Sequence, residues 1–129
     1  MSRKWTSTTI MTQPNPEFER GDVVLVFFPN SDLRSAKLRP CLIVQANKLQ
    51  TGLKQRIVAM VTSNLLRSGH PSRFLIPLAS PEGRRSGLLT DSVVMTDNLA
   101  TISENEISRT IGNIPMNEVD LALAHTLAL

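Results

Sequence analysis

The sequence predicts a small, mainly β domain: short antiparallel strands rolled into a partly closed barrel, followed by a C-terminal helix. Two observations carry that expectation. Short runs rich in Val, Ile, Leu and Phe recur, each bounded by proline, glycine or small polar residues, which is the pattern of strands separated by turns. Only the last fifteen or so residues instead space their apolar positions as a helix does. Strands first and a helix last is a pattern that suits a small barrel.

Residues 1–16 have no sustained period, four threonines and two prolines, so they are expected to form a disordered leader ahead of a domain over residues 17–129. Met11 is an alternative start within that leader, and Trp5 an exposed aromatic. The first strand is expected over residues 22–28, stopped by Pro29. A basic, polar loop over residues 30–38 follows, and the second strand covers residues 40–45. The proline at 40 pushes Arg39 into an extended conformation, placing it at that strand's mouth.

Residues 46–54 read as a connection and 56–61 (RIVAMV) as a third strand ending at Thr62-Ser63-Asn64. A loop over 65–71 leads to a short fourth strand over 73–78, which Pro77 confines to an edge or an end. Residues 79–87 read as a turn-rich loop, 88–95 as a fifth strand interrupted by Asp91, and 98–102 as a short sixth. Ser103 with Glu106 three residues on matches a capping box, predicting a brief helix ended by Gly112. The final helix opens near Pro115 or Met116, with Asn117 as an alternative cap. Val119, Leu121, Leu123, Ala124 and Leu127 are expected along its inner side.

With 129 residues, 41% hydrophobic and 19% charged, the chain has the length of one domain and an ordinary globular composition. No apolar run is long enough to span a bilayer, and the N-terminus lacks the apolar core of a secretory signal. The single cysteine, Cys41, lies within an apolar run and is expected to be a buried small hydrophobe in a reducing compartment. No Cys/His spacing suits zinc, so no metal or other cofactor is expected. The net charge of +3 permits a nucleic-acid partner without requiring one. Arg3 and Lys4 supply two of those charges.

GDVVLVFFP, KLRPCLIV, VTSN, GLLTDSVV and TISENEI with IGNI resemble the MazF/PemK toxins of type II toxin–antitoxin systems. The resemblance runs from about Phe18 to the C-terminus. Its most specific element is Pro29 followed by the Arg39-Pro40 pair, with a later strand closing on Thr-Ser. It implies an SH3-like barrel acting as a homodimer in the cytoplasm. It also implies a metal-independent endoribonuclease that cuts single-stranded RNA and is neutralised by a cognate antitoxin. In the family's pattern Arg39 and Thr62 match the two positions tied to cleavage. Two stretches depart from it. Leu33-Arg34-Ser35 replace a common first-loop segment, and Asp91 follows Gly87 by four positions where some members have five.

RNA carries its own nucleophile, the 2′-hydroxyl beside each phosphate. An enzyme using it must orient that oxygen, neutralise developing charge and move protons; orientation alone can supply about 7–11 kcal/mol. The expected products are a 2′,3′-cyclic phosphate and a 5′-hydroxyl. Arg39 is the candidate for binding the scissile phosphate through its planar fork, and Thr62 the candidate hydroxyl donor. Arg34 and Lys37 would track the RNA backbone, Phe28 would stack on a base, and Ser63, Asn64 and Asp91 are further RNA contacts. Each residue also has a plain structural reading: strand-end arginine, solvated loop charge, core phenylalanine, turn residue. Asp32 is expected to pair with Lys37 or Arg39 and hold the loop. His70 is expected in solvent and His125 as a structural or surface residue of the terminal helix, both outside the site. The competing functional reading is a non-catalytic toxin on the same barrel, CcdB-like or degenerate, acting by binding protein or nucleic acid.

Overall fold

The computed structural model describes residues 18–30, 32 and 34–129. The leader over 1–16 with Trp5 and Met11, and Leu33 of the first loop, lie outside the described residues. Among those described, six strands form one antiparallel sheet: β1 (Asp22–Pro29), β2 (Ala36–Ile43), β3 (Gln55–Thr62), β4 (Arg73–Ile76), β5 (Ser92–Ser103) and β6 (Ile107–Asn113). Their order is β4–β5–β3–β2–β1–β6, so the end strands β4 and β6 do not pair and the roll stays open, as a partly closed barrel requires. Two helices complete the fold, α1 (Pro81–Ser86) and α2 (Asn117–Leu127). No helix of the described residues is long and apolar enough to cross a membrane.

Strand alternation sorts the apolar side chains onto two faces. Val23, Leu42, Ala59, Val61 and Val94 meet Val119 and Leu123 of α2 in one cluster. Val24, Val26, Cys41, Ile43, Val58 and Ile102 form the other, on the opposite face of the sheet. On α2 the buried positions are Val119, Ala122 and Leu123, whereas Leu121 and Leu127 are exposed. The inner side of the helix is thus narrower than expected and includes Ala122. Met116, without a side-chain cap, precedes the helix, and Asn117 is its first residue. The Arg20 guanidinium pairs with Asp120 at 2.7 Å and donates to the Val44 carbonyl at 2.8 Å, tying α2 to the start of β1.

The structure corrects four boundaries. β2 begins at Ala36, four residues sooner than the sequence suggests, so Arg39 lies within a strand. Residues expected as a turn-rich loop form α1: the Ser80 hydroxyl accepts from the Gly83 N–H at 3.0 Å, Pro81 opens the helix, and Gly87 closes it at φ 75°. The same residue types serve turns and helix caps, so composition alone reads as either. The fifth and sixth strands are one, β5, carrying a bulge. Met60 pairs with Met95 and Ala59 with Leu99, which leaves Thr96, Asp97 and Asn98 without opposite numbers.

The Thr96 hydroxyl donates inward to the Ser72 carbonyl at 2.6 Å, and Asp97 pairs with Arg73 at 2.7 Å. The helix expected after Ser103 is a single 3-10 turn, Glu104–Glu106, in which the Ser103 hydroxyl accepts from the Asn105 N–H. The chain then becomes β6, because Ile107, Thr110 and Ile111 suit a strand and β1 offers an unpaired edge. Arg56, largely buried, holds Glu104 at 2.8 Å and lies over the Phe18 ring, fixing this corner.

Cys41 is fully buried, and desolvation pushes its thiol up to about 12, against a smaller opposing pull from Arg39. A thiolate is the reactive form. Iodoacetamide at pH 8 is therefore expected to leave the native protein unmodified and to alkylate Cys41 fully in denaturant. Rapid labelling of the folded chain would contradict that burial.

Candidate functional site

The site forms where β2 leaves the buried interior. Along one face of β2, Ile43 and Cys41 are fully buried while Arg39, two residues nearer the first loop, is exposed. Arg39 is therefore the first side chain on that face beyond the packed interior, at the open mouth of the barrel. Pro40 lacks an N–H to donate, and the recorded β2–β3 pairing stops beside it at Cys41↔Met60. Extending that register two residues past its last pair places Arg39 toward Thr62, the last residue of β3. Residues opposite each other in an antiparallel pair point to the same face. Val26 of β1 pairs with Arg39 from the other side, forming a row across β1 and β2.

The next row toward the first loop is Lys37 opposite Phe28. Lys37 is exposed; Phe28 is half-buried against the second cluster. The first loop is closed by its own polar groups. Asn30 donates to the Ser35 carbonyl at 2.9 Å through its backbone and to the Ser35 hydroxyl at 2.8 Å through its side chain. Asp32 accepts from the Arg34 N–H at 2.9 Å and the Ser35 N–H at 3.3 Å. These bonds, that from Arg34 foremost, hold the Asp32 carboxyl below its usual range. Asp32 thus stabilises the loop through backbone donors. The expected ion pair with Lys37 or Arg39 is not formed, because a turn of this kind satisfies the carboxylate locally.

The ion pairs among the described residues join Arg20 to Asp120, Arg56 to Glu104 and Arg73 to Asp97. None engages Arg34, Lys37 or Arg39. Three cations on one short segment are therefore exposed and without an ion pair among the described residues, an arrangement suited to a polyanion.

At the end of β3 the Thr62 hydroxyl accepts from the Asn64 N–H at 3.1 Å, leaving its own proton free to be donated elsewhere. Asn64 caps the 3-10 turn Leu65–Arg67 by accepting from the Leu66 N–H at 3.1 Å, and Ser63 is exposed beside it. Asp91 precedes β5 rather than interrupting it. Extending the Thr62↔Val93 register places it across from Asn64, and its Oδ1 accepts from the Leu78 N–H at 2.7 Å. One carboxylate oxygen is thus committed to mooring the loop after β4. His70 and His125 stack edge to face with ring centroids 6.0 Å apart, and His70 Nδ1 accepts from the Ser72 N–H. Both are exposed and belong to the α2 side of the molecule, not to the Arg39 row. Among the described residues no group of three or more His, Cys, Asp and Glu is placed to hold a metal ion.

Beside this row lies a cleft of about 600 Å³ between the end of β1, the first loop and the β5–β6 corner, lined by Phe27, Phe28, Arg34, Thr101, Ser103 and Glu106 among others. Phe28 and Arg34 are expected from the sequence. The β5–β6 residues are not, because S-x-x-E reads as a helix cap. The signal that would have found them is the β-branched run after Glu106, which brings the corner back against β1.

The family model for the PemK-like, MazF-like toxin of type II toxin–antitoxin systems matches residues 19–127. A comparison with curated protein sequences found no match. Among solved structures, an endoribonuclease from a mycobacterial species is 25% identical, with a TM-score of 0.64 over 88% of this chain and 93% of that one. A mycobacterial endoribonuclease in complex with its cognate antitoxin is 24% identical, with a TM-score of 0.64 over 86% and 95% of the two chains. A MazE–MazF structure from Deinococcus radiodurans shares the fold at 16% identity, with a TM-score of 0.64 over 88% of this chain and 97% of its counterpart.

Proposed function

Because the chain belongs to the PemK-like, MazF-like toxins of type II toxin–antitoxin systems, we propose that it is a metal-independent endoribonuclease cutting single-stranded RNA in the cytoplasm. The observation that carries this reading is the exposed Arg39 guanidinium, without an ion pair among the described residues, at the barrel mouth where the β2–β3 pairing ends and β3 runs on to Thr62. Arg39 grips two oxygens of the scissile phosphate and compensates the charge that grows as the 2′-oxygen attacks. Thr62 donates to the same phosphate. Arg34 and Lys37 hold the flanking backbone, and Ser63, Asn64 and the free oxygen of Asp91 border the strand's path. The 2′-hydroxyl loses its proton as it bonds to phosphorus, and the 5′-oxygen leaves and gains one. The products are a 2′,3′-cyclic phosphate and a 5′-hydroxyl.

The working unit in this reading is a homodimer, expected as one species of twice the chain mass in light scattering. A cognate antitoxin would silence it by laying an acidic peptide over Arg34, Lys37 and Arg39. The test is purified protein incubated with single-stranded RNA in excess EDTA. Fragments bearing 5′-hydroxyls are expected to accumulate at an undiminished rate. Intact RNA at micromolar protein would instead favour the binding-only reading.

A further inference from the structure

The cleft beside the Arg39 row holds a group that the proposed chemistry does not use. Glu106, exposed in the 3-10 turn between β5 and β6, is one of the residues that line the cleft. Glu104, two residues earlier, is taken up by Arg56. Glu106 makes no hydrogen bond or ion pair, and the one guanidinium in the cleft, Arg34, leaves it unpaired. A free carboxylate where an RNA strand passes repels phosphate. It becomes favourable only if both oxygens accept hydrogen bonds from something the strand brings.

Resting on the nuclease reading, we propose that this cleft is a base-reading subsite in which Glu106 selects guanine. An ionised carboxylate is acceptor-only, with two parallel oxygens. On the edge that single-stranded RNA exposes, guanine alone presents two adjacent N–H donors, N1–H and the 2-amino group. Adenine and cytosine offer one amino group beside a bare acceptor nitrogen. Uracil offers a single N–H between two carbonyls, which a carboxylate repels. Phe28 supplies a ring on which the base stacks, and Arg34 holds the adjoining phosphate. The cleft volume, about 600 Å³, falls in the range of small-molecule sites and admits one base with its ribose. Its position fits as well. The Phe28–Lys37 row is two residues, about 7 Å, from the Val26–Arg39 row, so the base read here adjoins the cleaved phosphate.

The test separates base reading from cleavage. Fully 2′-O-methylated uracil octamers with one central G, C, A or U lack the nucleophile and cannot be cut. Their binding to the full-length protein is followed by fluorescence anisotropy. The wild type is expected to bind the G octamer on the order of ten-fold more tightly than the others. E106A is expected to split by sign, binding the G octamer more weakly than wild type and the U octamer more tightly, since a repelling charge is gone. E106Q, of the same size, should also lose the preference. A uniform gain of E106A on all four octamers, or no G preference in the wild type, overturns the proposal while leaving the nuclease reading standing. Failure of the wild type to bind any octamer overturns both.

Discussion

Arg39→Ala is expected to reduce RNA cleavage by about 10²–10³-fold, the cost of removing one fixed donor aimed at developing charge. The effect should fall on the chemistry alone. Arg39 is exposed, carries no ion pair and packs into neither cluster, so its truncation should change stability by less than about 0.5 kcal/mol. Arg39→Lys tests the geometry further. It retains the charge but replaces a planar fork with a point cation, and should recover binding better than rate. Single-turnover cleavage in EDTA, alongside a thermal melt of each variant, makes the comparison. An Arg39→Ala protein that melts like wild type and cuts at its rate removes Arg39 from the mechanism.

That expectation rests on geometry only partly legible in the chain. The Arg39-Pro40 step suggests an arginine at a strand mouth, and the structure places it at the barrel's mouth but inside a strand. The difference arises because residues 36–38 pair with 27–29 of β1, a pairing across the first loop that no local breaker signals. The alignment of Arg39 with Thr62 depends on register between β2 and β3, and register follows from which side chains are buried. Cys41 and Met60 pair within the second cluster, and the rest of the row follows from them. The apolar strands were readable because alternation is local.

The corners were not. Ser80 to Gly87 carries cap residues that also make turns, and only docking on β6 selects the helix. Thr96 to Asn98 looks like a gap between strands, yet the Thr96 hydroxyl, bonded to Ser72 and Thr126, buries it as a bulge. Ser103 to Glu106 carries a true cap that is cut short when β1 captures the next seven residues. Glu106 reaches the cleft only through that capture, so its place beside Phe28 is a product of tertiary pairing.

The contact between α1 and the far end of β6 supplies the largest expected effect on stability, Gly112→Val. Gly112 pairs with Val23 in β6, and a Cβ there would overlap the Arg85 carbonyl oxygen and close on the Ser86 backbone. Gly87, at φ 75°, turns the chain so closely that its own Cβ would overlap the Ile111 carbonyl. Helix α1 thus rests on β6 backbone against backbone, with no side chain between them able to yield. Valine at 112 must lift α1 from the sheet, at a cost of about 3 kcal/mol and a fall in Tm of about 10 °C. Gly52→Ala is the control. Gly52 sits at positive φ, which Gly112 does not, and nothing lies within 4 Å of its Cβ, so only backbone strain of about 1 kcal/mol applies there. The larger loss at 112 therefore isolates contact from conformation. It also reaches the site, because the chain leaving α1 carries Asp91, which is moored to Leu78 just before the helix. Gly112→Val should consequently lower cleavage even well below its melting temperature, whereas Gly52→Ala should not. Equal melting curves for the two variants would mean that α1 does not lie this close to β6.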